Sequence, residues 1–338
     1  QDPPRPDSAS LIRQLRNLGI RIVMVTGDGL ATAQAIARQV GIGEHGCAAQ
    51  AIPAAGSPDP DCEVFAEVLP EQKFKLVQAI QETGRIVGMT GDGVNDAPAL
   101  RQAQVGIAVS AATDVAKAAA GLVLTNPGLE NIIAAIQVSR QIYQRMLTYT
   151  LNKIIKTIQI ATFLSLGLIL TGAFVTTPLL VVLLIFANDF VTMSIATDQV
   201  RASLRPDHWN VRAMLLPALS LALPLLAITF GIFLIGRNFL HLPIGQLQTL
   251  AFITLVFTGQ GMIYLVRERH HFWASPPGKW MMLASALDIF AVILLASLGI
   301  LMQAIPLWLI LATLALVAVT LLVLDFVKVW VFQKFNLH

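Results

Sequence analysis

From about residue 148 to residue 326 the chain is a series of apolar runs of about 20 residues, broken by short stretches that hold most of the local charge. A run of that length matches a hydrocarbon core about 30 Å thick, and a backbone placed there must satisfy its own hydrogen bonds. Helices crossing a membrane are therefore the expectation, over roughly 148–170, 179–197, 213–235, 247–266, 280–301 and 305–326. Composition agrees, with 55% hydrophobic and 13% charged residues where a soluble chain carries about a quarter charged. Arg140 and Arg145 precede the first run, Arg201, Arg205 and Arg212 follow the second, Arg267, Arg269 and Lys279 follow the fourth, and Lys328 and Lys334 follow the sixth. The opposite connections hold only Arg237 among Lys and Arg, so the positive-inside rule puts the first part of the chain and its C-terminus in the cytosol. The net charge of +3 is explained by these flanking residues, and no nucleic-acid partner is expected.

Residues 1–145 read differently, as an α/β layer. A helix from Asp7 or Ser8 through Leu18, a β-branched run Ile20–Val25, and a helix Leu30–Val40 come first. An amphipathic helix from Glu71 to Gln81, with Phe74, Val77 and Ile80 on one side, and strand-like runs at Ile86–Met89, Val105–Val109 and Leu122–Thr125 follow. Residues 43–62, rich in Gly, Ala, Pro and Asp, read as a loop. Cys47 and Cys62 lack a metal-ligand spacing, so a reduced pair is the default. Two strands end in related turns, Thr26-Gly27-Asp28-Gly29 and Thr90-Gly91-Asp92-Gly93, each leading into a helix. The end of a parallel strand and the start of the next helix converge on a crevice whose N–H groups favour phosphate. A carboxylate on such a turn can hold Mg²⁺, and Asp92 is the first candidate. Asp96 reaches the same site or caps the helix that Pro98 opens.

The run Thr90-Gly91-Asp92-Gly93-Val94-Asn95-Asp96-Ala97-Pro98 resembles the hinge signature of the P-type ATPases. The similarity extends to Asp2-Pro3-Pro4-Arg5-Pro6, Met24-Val25-Thr26-Gly27-Asp28, Phe65-Ala66 with Pro70-Glu71-Gln72-Lys73, Gly106-Ile107-Ala108-Val109 and Ala112-Thr113-Asp114-Val115-Ala116. Asp2 to Pro6, Val123-Leu124-Thr125 with Pro127-Gly128-Leu129, and Gln144-Arg145-Met146 are most similar to the plasma-membrane proton-pump branch. The resemblance implies the C-terminal part of a haloacid dehalogenase-like phosphorylation domain over 1–145, followed by transmembrane helices five to ten over 146–338. It also implies roles. Thr26 and Gly27 donate to phosphate oxygens, Asp28 lies beside the nucleotide or holds its loop, and Lys73 contacts the phosphoryl group. Asp92 and Asp96 bind Mg²⁺, and Asn95 completes the pocket. ATP is the implied cosubstrate.

No Asp-Lys-Thr-Gly and no Thr-Gly-Glu occurs in the 338 residues. The family's phosphorylated aspartate, actuator, nucleotide-binding domain and first four helices are therefore expected on a missing N-terminal part, and the chain alone is expected not to hydrolyse ATP. The match begins at once in mid-domain, so a truncation of a longer pump is expected; a half-pump with a partner chain, or a non-catalytic membrane module, is the alternative. A tethered phosphatase of the same fold would need its own nucleophilic aspartate.

Ionisable residues inside apolar runs are functional by default. Asn188 and Asp189 sit in the middle of the second run, and Asp189 aligns by resemblance with the carboxylate that takes up and releases the proton in this branch. Burial is expected to favour its protonated form. Lys156, Gln159 and Thr162 fall on one drifting face of the first run. Gln159 stands where plant pumps carry an arginine, and Lys156 could replace that arginine as counter-ion to Asp189. Lys153 and Lys156 could equally snorkel to the interface. Asp288, in the fifth run, is either structural or functional. The expected partners are the bilayer of the plasma membrane and a cation, the proton before others.

Overall fold

The computed structural model describes residues 4–53, 56, 58–126, 128, 130–206 and 211–335, with the side chains of 211–213 left aside. Asp2, Pro3, Pro127 and Leu129, which carry part of the resemblance, lie outside the described residues. Two compact units divide the chain, one formed by Gln1–Ser139 with Ser203–Pro206, the other by Arg140–Ala202 with Asp207–His338.

The first unit alternates strands and helices in the order α1 (Ser8–Asn17), β1 (Met24–Val25), α2 (Leu30–Val40), β2 (Gly46–Ala48), β3 (Val64–Ala66), α3 (Pro70–Glu82), β4 (Gly88–Gly91), α4 (Ala97–Gln102), β5 (Val105–Ala108), α5 (Asp114–Ala119) and β6 (Leu122–Val123). The strands form two parallel three-stranded sheets, ordered β1-β3-β2 and β4-β5-β6. Val64, Phe65 and Ala66 of β3 are buried on both faces. Ala33, Ala37 and Val40 of α2 cover one side of this sheet, and Leu76 of α3 packs with Phe65. Gly41 closes α2 in the left-handed conformation, φ +78°, where a Cβ is costly.

Two local readings change. Residues 43–62, read as a loop, contain β2, which has no apolar alternation and is strand only because β3 offers it a ladder. The apolar face of α3 centres on Leu76, Val77 and Ala79, because α4 packs there through Ala99 and Ala103.

Among the described residues, six helices are long and apolar enough to cross a membrane, all in the second unit apart from the start of the first of them, which belongs to the first unit as far as Ser139. They are α6 (Glu130–Thr171), α7 (Pro178–Met193, continued by a 3₁₀ turn Ser194–Thr197), α8 (Val211–Asn238), α9 (Ile244–Arg267), α10 (Lys279–Leu298) and α11 (Leu307–Lys334). Helices α6, α7 with its 3₁₀ turn, α8 and α9 each contain one expected run whole, whereas α10 ends at Leu298, short of the expected 301, where Gly299 turns left-handed at φ +72°, and α11 begins at Leu307, just after the expected 305, behind Pro306. The most buried is α9, against which α7, α8, α10 and α11 all pack. Gly259 and Gly261 allow the close approach: a Cβ at Gly259 would meet the Asn188 side chain of α7 and the Lys156 side chain of α6, and one at Gly261 would meet Leu321 of α11. Trp280, Phe290, Trp308, Phe326 and Trp330 point outward, as lipid-facing side chains do in such a bundle.

Candidate functional site

The Gly-Asp-Gly turn after β4 is organised by one carboxylate. Asp96, buried and ending a 3₁₀ turn over Val94–Asp96, accepts from the backbone N–H groups of Asp92 and Gly93 through Oδ2, each at 3.3 Å. Its Oδ1 accepts from Lys73 Nζ at 2.7 Å. The Asp96 side chain makes no capping bond to α4, so of the two expected roles the helix cap is not seen. Gly91 is required by the same packing, since a Cβ there would lie 2.6 Å from Asp96 Cβ. The carbonyl of Asp92 accepts from Thr113 N–H at 2.9 Å, so the turn is held on both sides while the Asp92 side chain stays exposed. Asn95 is exposed on the same turn.

The two metal candidates therefore differ. Asp92 presents a hard, exposed carboxylate at a strand end, a donor suited to Mg²⁺. Both oxygens of Asp96 are engaged by Lys73 and the turn, so Asp96 is placed as a bridge and not as a free ligand.

The first turn is built alongside β3. Thr26 N–H donates to Phe65 O at 3.0 Å and Val68 N–H to Thr26 O at 3.0 Å, while Asp28 N–H donates to Thr26 Oγ1 at 3.1 Å. Glu67 N–H donates to Asp28 O at 3.0 Å with φ +57° at Glu67, a conformation costly for a non-glycine residue and concentrated at functional turns. Gly27 and Asp28 are exposed. Among the described residues no hydrogen bond or ion pair joins Thr26 or Asp28 to Lys73 or Asp92.

The strand order explains the separation. Both turn-bearing strands, β1 and β4, are edge strands of their sheets. They are partly exposed where the interior strand β3 is wholly buried.

The second site lies in the helical unit. Asp189 of α7 pairs with Lys153 of α6, so the counter-ion is Lys153 where the sequence suggested Lys156. The Asp189 side chain is 49% exposed, and the burial expected for it is not found. Lys156 is buried instead, and its Nζ lacks a hydrogen-bond partner. The same holds for Asn152 Oδ1 and Nδ2, Asn188 Oδ1 and Gln260 Oε1. Asn188 and Lys156 converge at Gly259, and Gln260 Nε2 donates to Asp288 Oδ2 at 2.5 Å. Lys153, Asp189 and Asp288 are the charged groups that act on Lys156. Unpaired buried polar atoms are rare and mark a wet or functional locus. Gln159 is different, since its Nε2 donates to Thr229 Oγ1 at 2.9 Å and Thr258 Oγ1 at 3.0 Å, which bolts α6 to α8 and α9.

Several residues read only as basic anchors turn out to be buried partners. Arg267 forms a two-pronged pair with Asp198, at 2.8 and 3.3 Å, and also donates to the carbonyls of Gln199, Ser275 and Pro276. Lys328 pairs with Asp325 at 2.7 Å, and His271 Nδ1 lies 2.6 Å from the other carboxylate oxygen. Asp325 and Lys328 stand at i and i+3 on α11, a spacing that local sequence does offer, whereas nothing local signals the pairing of Asp198 with Arg267, 69 residues apart, or of His271 with Asp325, 54 apart. Just beyond α9, burial opposes ionisation of Glu268, yet Ser275 Oγ–H, the N–H groups of His270 and Arg269 and the Arg267 charge outweigh it and hold the carboxyl below its ordinary value of 4.5.

A parallel α/β unit with a lysine-braced Gly-Asp-Gly turn is followed in sequence by six apolar helices carrying buried ionisable residues, and the chain is homologous to the C-terminal part of the P-type ATPases. The family model for haloacid dehalogenase-like hydrolases matches residues 1–104. "Putative cation-transporting ATPase MJ1226" of Methanocaldococcus jannaschii is 40% identical over 290 residues, covering 82% of this chain and 36% of the relative. "Plasma membrane ATPase" of Kluyveromyces lactis and "Plasma membrane ATPase 1" of Saccharomyces cerevisiae are each 35% identical over 305 residues, covering 86% of this chain and 34% and 33% of the relatives. The chain thus spans about a third of the length of the curated relatives it matches.

Proposed function

We propose that the chain is the catalytic and ion-conducting C-terminal part of an ATP-driven pump that moves protons out of the cytosol across the plasma membrane. The observation that carries the reading is the Lys73–Asp96 bridge to the Gly-Asp-Gly turn, which sets a fixed cation and an exposed carboxylate beside an open sheet edge. The strand bearing the phosphorylated aspartate, supplied by the N-terminal part of the protein, fits between β1 and β4 as the shared neighbour of both edges. It would end where both turns end, in line with Thr26 and Asp92. Division of residues 1–145 and 146–338 into a phosphorylation part and a transmembrane part follows from the same reading.

In this arrangement Lys73 offsets charge on the transferred phosphoryl group, and Thr26 and Gly27 hold its oxygens. Asp96 is a positioning residue that aims Lys73 and fixes the turn. Asp28 and Asn95 line the nucleotide side. Asp92 would hold Mg²⁺, which when bound would neutralise phosphate charge. Phosphoryl transfer draws mainly on such placed charge. In the membrane, Asp189 takes up and releases the proton, Lys153 is its partner in the state seen, and Lys156, Asn188, Asn152 and Gln260 form the polar path next to it.

The test uses the complete pump in proteoliposomes. Lys73→Met should slow phosphoenzyme formation from ATP by about 10²–10³-fold, the range for losing a placed electrostatic donor. Asp189→Asn should abolish proton transport while phosphoenzyme still forms. Transport that survives Asp189→Asn would remove the proton role, and unchanged phosphorylation in Lys73→Met would remove the catalytic one.

A further inference from the structure

Away from both sites, at the outer edge of the first sheet, four metal-binding side chains converge. His45 immediately precedes β2 and Cys47 lies within it, while Asp59 and Cys62 belong to the segment that returns to β3. The His45 carbonyl accepts from the N–H groups of both Glu63 and Val64, at 3.0 and 3.2 Å, which pins the two segments together. Ligand atoms of His45, Cys47 and Asp59 all lie within 4.8 Å of one another. His45 Nε2 is 3.8 Å from Asp59 Oδ2. Cys62 joins the group because its sulfur is bonded to that of Cys47, with the two Cα atoms 6.0 Å apart. This disulfide corrects the expectation of a reduced pair, and it also supplies what the linear spacing lacked, a common location.

We infer that the reduced form of this cluster is a binding site for a borderline-soft divalent cation of the Zn²⁺ type, with Cys47, Cys62, His45 and Asp59 as the four ligands. Two thiolates, an imidazole and a carboxylate make a donor set that Zn²⁺ accepts. Metal–ligand bonds of about 2.0–2.3 Å in a tetrahedron hold the ligand atoms about 3.3–3.8 Å apart. For a nitrogen and an oxygen ligand the spacing is about 3.3–3.5 Å, so the His45–Asp59 separation of 3.8 Å has to close by only a few tenths of an ångström, and the cysteine backbones need no large movement. The cluster therefore has two closed forms. In one, the sulfurs bond to each other. In the other, a dithiol reductant has delivered two electrons and two protons to the disulfide, becoming a disulfide itself, and each cysteine then gives up its proton as it binds the metal. Either form clips β2 to the chain entering β3, the strand that runs directly to Glu67 and to Lys73 on α3. No role in phosphoryl transfer is required of it, so the inference stands apart from the proposed pump function.

The experiment is Co²⁺ and Zn²⁺ titration of the full chain, purified under a dithiol reductant and then with the disulfide formed. The expected result is one Co²⁺ per reduced chain, with a sulfur-to-cobalt charge-transfer band and tetrahedral d–d bands. That ion should be displaced by Zn²⁺ and absent from the oxidised chain. Cys47→Ser and Cys62→Ser should each remove the charge-transfer signature. His45 and Asp59 have exposed side chains, so His45→Ala and Asp59→Ala should fold normally. Each should weaken Zn²⁺ by at least about tenfold, since even partners behind the ligands are worth about 10–100-fold. A reduced chain that binds no more Co²⁺ than Cys62→Ser would overturn the inference. So would His45→Ala and Asp59→Ala variants that bind Zn²⁺ as tightly as the parent, for they would leave a bare dithiol.

Discussion

Asp96 holds Lys73 with one oxygen and two backbone N–H groups with the other, so on the proposed function disturbing it should slow phosphoryl transfer without touching substrate. Gly91→Ala drives a methyl group into Asp96 Cβ. The complete pump should then form phosphoenzyme at least about tenfold more slowly, with KM for ATP little changed, because positioning errors of about 1 Å cost up to about 10²-fold. A normal phosphorylation rate would show that the turn tolerates the methyl group and that Asp96 does not act through it. Asp198 and Arg267 make a second residue-scale case, since both side chains are almost wholly buried. Removing one partner of a buried pair leaves a charge uncompensated, at a cost of about 3–5 kcal/mol. Asp198→Leu should accordingly lower the thermal midpoint of the detergent-solubilised chain far more than Arg237→Leu, a change at an exposed position. Equal shifts would mean that the pair contributes little.

At the scale of elements, α9 acts as the axle of the helical unit, with Gly259 letting α6 and α7 approach and Gly261 letting α11 approach. Gly259→Val would push against Asn188 and Lys156, and overpacking of this kind costs about 1–3 kcal/mol. A lowered midpoint in thermal unfolding is expected, whereas Gly231→Val, at a position with open space, should behave as the parent. The loop after α9 adds a pH dependence. Because Glu268 is held below 4.5 in the folded chain, the unfolded chain binds its proton first as pH falls. The stability from Glu268 is complete above about pH 4.5 and is lost as pH drops through the lower folded value. Ser275→Ala removes the hydroxyl that donates to this carboxylate and should shrink the loss of midpoint between pH 6 and pH 4. An unaltered acid profile would count against the Ser275 hydrogen bond as its cause.

For the molecule as a whole, the open edges of β1 and β4 yield a measurement that needs no activity. On the proposed function, adding the N-terminal part of such a pump in trans should slow amide hydrogen exchange at the amides that face away from the sheet, Val25 of β1, whose neighbour Met24 already donates to Glu63, and the outward amides of Gly88–Gly91; unchanged exchange there would reject the insertion. Much of the molecule was legible before any coordinates. Apolar runs of bilayer length, alternating strand and helix patterns and two Gly-Asp-Gly turns each depend on residues close together in the chain, where periodicity and turn chemistry act directly. Lys153 and Lys156 show where that reading stops. They stand about 60° apart around the helix axis, so both suited Asp189, and the rotation of α6 set by packing gave the pair to Lys153 and left Lys156 buried without a partner. Residues 43–62 hid a strand because β2 exists through its neighbour's hydrogen bonds and not through its own pattern. Cys47 meets Cys62, and Asp198 meets Arg267, only after folding has joined segments 15 and 69 residues apart. Local chemistry in the sequence determined the elements and the two Gly-Asp-Gly turns, whereas the tertiary structure decided which charges meet, because partner choice depends on helix rotation and strand order that no local stretch encodes.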